Sequence, residues 1–196
     1  TWLNGRKLVD DVEDVLKAGA TFIQLREKNA TYEETVALAR EIKKLTDKYH
    51  VPFVIDDNVE AAKEVDADGV HIGQSDTEAK RARDILGENK IIGVSAGNLK
   101  EAIDAEKNGA DYIGIGAMFD TSTKKDHTDM TFEEAKKITD TVKIPVVAIG
   151  GINKNNILEL KGTGIDGVAV ISAIFAQQDR YSAAKELLEL SKEIVR

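Results

Sequence analysis

Residues 107–115 read Lys107-Asn108-Gly109-Ala110-Asp111-Tyr112-Ile113-Gly114-Ile115. A helical pattern stops at Gly109, which accepts the left-handed backbone that a helix end needs. An apolar run then begins almost at once. The same joint stands at Lys17-Ala18-Gly19-Ala20 and again at Gly162-Thr163-Gly164-Ile165-Asp166-Gly167. One joint used repeatedly means one structural unit used repeatedly. Short runs rich in Val and Ile lie at residues 21–25, 53–55, 69–72, 91–94, 112–115, 146–149 and 167–171. Their nearly unbroken apolar character predicts parallel strands buried on both faces. Amphipathic stripes fall between them: Leu8, Val9, Val12, Val15 and Leu16; then Val36, Ala39, Ile42, Leu45 and Tyr49; others follow near Leu99, Phe132 and Ala184. These read as helices packing their stripes on a core.

Alternating β and α with short joints permits a barrel or an open doubly wound sheet. The repeated joint and even spacing favour a TIM (β/α)8 barrel. No Pro-, Ser- or Gly-rich linker divides the chain, so residues 1–196 read as a single barrel domain. Such barrels have eight strands, and the sequence offers seven runs after an opening helix. The expected completion is a first strand N-terminal to Thr1.

Composition narrows the function classes. The chain has 27 Lys and Arg against 35 Asp and Glu, a formal charge of −8, with 42% hydrophobic residues. That balance describes a globular chain, not a disordered one. Net acidity argues against a chain-wide nucleic-acid surface. The absence of cysteine removes disulfides, iron–sulfur clusters and thiolate zinc sites. No apolar run approaches the ~18 residues of a membrane span, and the first residues show no signal-peptide core. A cytoplasmic protein is expected. No interface pattern stands out, so a homo-oligomer stays open.

In barrels the chemistry sits at the C-terminal ends of the strands. Here those ends are polar. Asp57 and Asp76 follow neighbouring strands, which lie about 5 Å apart, so both carboxylates can reach one ion. Mg²⁺ takes one or two carboxylates and leaves its other positions to water and phosphate. The alternative is capping, of the next helix by Asp57 or Asn58 and of a later one by Asp76. Gly150-Gly151 and Ser172 suit an anion held by backbone N–H groups, or else a tight turn and a cap. Arg26 and Lys28 share one side of a strand end. Lys124 lies in a loop with Thr121, Ser122 and Thr123, which reads either as part of the same rim or as a solvated loop. An acidic protein that gathers these cations and hydroxyls at one rim suits a phosphorylated ligand. His71 reads as a hydrogen-bonded core residue, not as a base.

Five strings, in order on successive units, carry a family resemblance: Gln24-Leu25-Arg26-Glu27-Lys28, His71-Ile72-Gly73-Gln74-Ser75-Asp76, Thr121-Ser122-Thr123-Lys124-Lys125-Asp126, Ala148-Ile149-Gly150-Gly151-Ile152 and Val170-Ile171-Ser172-Ala173-Ile174. The chain resembles the thiamine-phosphate synthase family along its whole length. The resemblance implies a Mg²⁺-dependent transferase. It joins an aminopyrimidine diphosphate to a thiazole phosphate and releases pyrophosphate by a dissociative substitution. It implies that Gln24, Arg26 and Lys28 hold the pyrimidine diphosphate, and that Asp57 and Asp76 bind Mg²⁺. Ser95 and Lys124 would contact the same diphosphate. Thr121 and Thr123 would meet the thiazole phosphate, with Gly151, Ile171 and Ser172 completing its cradle. Arg26, Lys28, Ser95 and Lys124 would thus act on the leaving group.

Three positions depart from the family pattern. Asp56 stands where an Asn beside the pyrimidine is usual. Gly97 replaces the His of a Ser-x-His string, and Asp120 replaces a Pro. Two alternatives follow: a thiazole tautomerase on the same barrel, and a non-catalytic barrel that holds a phosphorylated metabolite. The first depends on the His that Gly97 replaces.

Overall fold

The computed structural model describes residues 5–74, 78–120 and 130–195. Seven strands lie among them: β1 (Ile23–Leu25), β2 (Phe53–Asp56), β3 (Gly69–Ile72), β4 (Ile91–Ala96), β5 (Tyr112–Ile115), β6 (Val146–Ile149) and β7 (Gly167–Ala169). All pair in parallel, and their order in the sheet is their order in the chain. A doubly wound sheet reverses its strand order at a switch point. This sheet never does, so it is a curled, barrel-type α/β sheet. Among the described residues β1 and β7 do not pair, and the sheet keeps two edges there. This is the interval where the sequence predicts a further strand.

Among the described residues eight α-helices accompany the strands: α1 (Leu8–Lys17), α2 (Tyr32–Tyr49), α3 (Val59–Glu64), α4 (Ala79–Leu86), α5 (Leu99–Lys107), α6 (Phe132–Thr141), α7 (Ser172–Phe175) and α8 (Arg180–Ser191). Between β6 and β7 the chain makes only a 3₁₀ turn at Ile157–Leu160. The central strands are dry on both faces. Phe53, Val54 and Ile55 are at most 1% exposed, as continuous apolar runs require. The two edge strands are shorter than their apolar runs. Pairing of β1 starts at Ile23, opposite Phe53, and β7 ends at Ala169, opposite Ile149. Each has a neighbour on one side only, so the ladder stops where that neighbour stops.

The joint read at Gly19 and Gly109 recurs more often than glycine does. Ala20 N–H donates to Val15 C=O at 3.2 Å, and Ala110 N–H to Ala105 C=O at 3.1 Å. Val51 N–H to Thr46 C=O and Ala67 N–H to Ala62 C=O, both at 2.9 Å, repeat the bond. At the last two joints the left-handed residue is His50 (φ 55°) or Asp66 (φ 54°). A second repeated device follows the joint. Asp68, Asp111 and Asp166 each precede a strand and accept, through Oδ2, an N–H at the start of the strand before it: Phe53, the first residue of β2, at 2.9 Å, Ile92, the second of β4, at 2.7 Å, and Val146, the first of β6, at 2.8 Å. These aspartates stitch the end of the sheet opposite the polar strand ends. Among the described residues one carboxylate is fully buried. Asp11 of α1 pairs with Arg6 at 2.5 Å and with Arg180 of α8 at 3.4 Å. Among the described residues no helix is long and apolar enough to cross a membrane.

Candidate active site

The C-terminal ends of β1 and β2 bring the first group of predicted residues together. Gln24 lies opposite Val54, and Asp56 lies opposite His71. Gln24 Nε2 donates to Asp56 Oδ1 at 2.6 Å, and Arg26 Nε pairs with Asp56 Oδ2 at 3.1 Å. The β2 carboxylate thus gathers two side chains from β1. Arg26, Lys28, Asp56 and Asp57 then line one cavity of about 570 Å³, which Arg81 of α4 also lines.

Asp57 has left-handed backbone, with φ 64°, and its N–H donates to His71 C=O at 2.8 Å. That conformation is uncommon outside glycine, though Asp and Asn tolerate it better than most residues. The cap of α3 is Asn58, whose Oδ1 accepts from Ala61 N–H at 2.9 Å. Capping is therefore assigned to Asn58, and Asp57 is exposed at the rim. At α4 the cap position belongs to Glu78, whose side chain makes no capping bond. Asp76 itself lies outside the described residues, as do Thr121, Thr123 and Lys124. Among the described residues no group of three or more His, Asp or Glu side chains could hold a metal.

Ser95 stands within β4, not beyond its end, because pairing continues to Ala96 opposite Ile115. Its Oγ lies 3.0 Å from His71 Nε2, and His71 Nδ1 lies 2.9 Å from Tyr112 Oη. The register explains this chain of contacts. His71 of β3 is opposite Gly93 of β4, and Gly93 is opposite Tyr112 of β5. The missing side chain in the middle lets the outer two meet. A Cβ on Gly93 would sit 2.2 Å from Tyr112 Cζ. His71 is 7% exposed and bonded at both ring nitrogens, the hydrogen-bonded core histidine that the sequence predicts. Burial, with the negative charge of Asp56, raises the Tyr112 phenol above its ordinary value, so it stays protonated. Sequence reasoning missed Tyr112. The available signal was a pair of glycines, Gly93 and Gly114, inside strands, which marks close approach by a neighbour.

The third group follows β6 and β7. Gly150 and Gly151 both have positive φ (100° and 66°). Gly150 C=O accepts from Phe119 N–H at 3.1 Å, and Gly151 C=O accepts from Asn153 Nδ2 at 3.1 Å and Asn156 Nδ2 at 3.0 Å. The turn is thereby fixed against the loop after β5. Ile171 and Ser172 follow the neighbouring strand, with Ile171 in the cap position of α7 and Ser172 its first residue. Parallel pairing of β6 with β7 puts these ends side by side. The departure at Gly97 has a local partner, since Gly97 N–H donates to Glu101 Oε2 at 2.7 Å.

Comparison with known proteins gives concordant results. A profile described as thiamine monophosphate synthase matches residues 1–174. The thiamine-phosphate synthase of Clostridium novyi (strain NT) is 50% identical over 191 residues, 97% of this chain and 94% of the relative. That of Clostridium tetani (strain Massachusetts / E88) is 48% identical over 185 residues, 94% of this chain and 88% of the relative. Among solved structures, thiamine phosphate pyrophosphorylase from Pyrococcus furiosus superposes with a TM-score of 0.91 at 43% identity, over 97% of this chain and 92% of that one. With a matching profile over most of its length and relatives near half identity, this chain belongs to the thiamine monophosphate synthase family.

Proposed function

We propose that this chain is a thiamine-phosphate synthase that works at the mouth formed by its strand ends. It joins 4-amino-2-methyl-5-(diphosphooxymethyl)pyrimidine to 4-methyl-5-(2-phosphooxyethyl)thiazole, giving thiamine phosphate and pyrophosphate. The observation that carries the reading is the cavity where Arg26 and Lys28 face Asp57 across β1 and β2. Cations beside a rim carboxylate suit a diphosphate that arrives with a divalent metal.

The donor set fits Mg²⁺. Asp57 is a hard oxygen donor at an exposed strand end, and the cap of the following helix is supplied by its neighbour. Asp57 and Asp76 would hold the ion, which when bound would draw charge off the departing pyrophosphate. Arg26 and Lys28 bind the diphosphate and lower its energy as negative charge grows on the leaving oxygen. Ser95 and Lys124 contact the same group. Gln24 and Asp56, already joined at 2.6 Å, orient the aminopyrimidine. Thr121, Thr123, Gly151, Ile171 and Ser172 hold the thiazole phosphate so that the ring nitrogen faces the pyrimidine methylene. The methylene C–O bond breaks with its electrons going to pyrophosphate. The thiazole nitrogen lone pair then closes the new C–N bond. No proton moves, so no general base is needed. Gly97 supplies no proton-transfer group, which disfavours a tautomerase.

The test is direct. Protein, Mg²⁺ and both substrates should yield thiamine phosphate and one equivalent of pyrophosphate, and a chelator should abolish both. Asp57→Asn keeps a residue that tolerates left-handed backbone while removing the charge. It should stay folded and lose about 10²-fold or more in turnover. Wild-type turnover from that variant would remove Asp57 from the metal site. Ligand binding with no product from the unaltered protein would favour the non-catalytic reading.

A further inference from the structure

We infer that His71 and Tyr112 are positioning residues that hold the Ser95 hydroxyl as a hydrogen-bond donor toward the mouth. The inference rests on the reading above, in which Ser95 meets the diphosphate, and adds the device that aims it. Its basis is a chain of contacts across three strands: Tyr112 Oη to His71 Nδ1 at 2.9 Å, and His71 Nε2 to Ser95 Oγ at 3.0 Å. Two glycines shape it. Gly93 leaves the space that Tyr112 fills, and a Cβ on Gly114 would crowd His71 Cε1 at 3.2 Å. Ser95 lies two residues beyond Gly93 on the same strand, hence on the same face and one layer nearer the polar ends.

The direction of the chain decides what Ser95 can do. A neutral imidazole carries one N–H and one bare nitrogen. In one arrangement the Tyr112 hydroxyl donates to Nδ1, Nε2–H donates to Ser95 Oγ, and the serine proton is left to point at a ligand. In the other, Nδ1–H donates to Tyr112, and Nε2 takes the serine proton for itself. Ser95 would then present lone pairs to an anion. Tyr112 is half-buried, desolvation raises its phenol so that it keeps its proton, and a phenol donates to an imidazole nitrogen more readily than it accepts from one. The first arrangement therefore holds. A serine aimed in this way strengthens its bond as the diphosphate gathers charge, so its effect falls on turnover more than on substrate affinity.

The tautomer is measured directly by nitrogen NMR of the His71 ring in ¹⁵N-labelled whole protein at neutral pH without substrate. A protonated Nε2 and a bare Nδ1 are expected. A protonated Nδ1, or protons on both nitrogens, overturns the inference whatever the enzyme does. The second measurement is kinetic. Tyr112→Phe should lower kcat about tenfold, with KM for the pyrimidine diphosphate changed less than threefold. His71→Gln, which can return an N–H to Ser95, should keep more turnover than His71→Leu. Unchanged kcat in Tyr112→Phe, or equal loss in both His71 variants, also overturns it. Failure of the functional reading looks different. The unaltered protein would then make no thiamine phosphate, while the ring-nitrogen spectrum would still decide the hydrogen-bond direction.

Discussion

Asp56→Asn separates two effects that the β2 carboxylate combines. One Asp56 oxygen accepts from Gln24 Nε2 at 2.6 Å, and the other pairs with Arg26 Nε at 3.1 Å. An amide keeps the shape but only one acceptor. Gln24 can turn its amide so that Oε1 accepts from the new NH₂, which leaves the charge-assisted contact with Arg26 as what the substitution removes. Two unit charges about 3 Å apart attract by about 5 kcal/mol at an effective dielectric of 20. The Arg26 side chain is 28% exposed and that of Asp56 is 9% exposed, so desolvation and screening remove most of this. A net of about 1–2 kcal/mol remains for the charge-assisted contact. That free energy keeps the guanidinium on Asp56 while no ligand is bound, and an arriving anion must compete with it. The same quantity therefore appears twice, with opposite signs. Asp56→Asn should lower unfolding stability by about 1–2 kcal/mol in urea. It should tighten binding of inorganic pyrophosphate by about five- to thirtyfold in titration calorimetry. A variant that unfolds like the parent, or that binds pyrophosphate more weakly, would refute the idea that Asp56 restrains Arg26.

Further outcomes follow from contacts away from the mouth. Asp11→Ala removes the carboxylate beside the Arg180 guanidinium, whose side chain is only 4% exposed. It should cost about 3–5 kcal/mol in urea unfolding. Asn58→Ala removes the α3 cap and should cost about 1 kcal/mol, whereas Asp57→Asn should move the unfolding midpoint little; the reverse pattern would restore the capping role to Asp57. Hydrogen bonds from Lys48, Lys17 and Tyr49 lower the Glu13 carboxyl from 4.5 to about 2. Its contribution is therefore complete above about pH 4.5 and is lost as pH falls toward about 2. Melting temperature should drop across that window, and Glu13→Gln should flatten the drop.

How much of this was legible in one dimension depends on what kind of order each part needs. The strands were legible because burial on both faces leaves an unbroken apolar run, as at Phe53-Val54-Ile55. Their joints were legible only in part. Gly19 and Gly109 announce a left-handed residue, but His50 and Asp66 adopt the same backbone without announcing it. The acids divide in a way that residue type does not reveal. Asp68, Asp111 and Asp166 tie strand starts together, Asp11 is buried between helices, and Asp57 sits at the opposite rim. What separates them is their place in the unit, before a strand or after it.

The rim strings were visible as strings, but the contact of His71 with Tyr112 was not. It exists because register sets Gly93 between them. Register in a parallel sheet depends on where each joint releases the chain into the next strand. Asp111 settles this for β5: its N–H donates to Ile92 C=O at 2.8 Å, and its carboxylate accepts from Ile92 N–H at 2.7 Å. Sliding β5 by one residue would turn Tyr112 to the helix side and Ile113 inward, since successive side chains point to opposite faces. The aspartate at the closed end of the sheet thus determines which side chain reaches the interior beneath Ser95. A residue at the far end of the sheet thus sets the composition of the site through the register that its N–H and carboxylate impose.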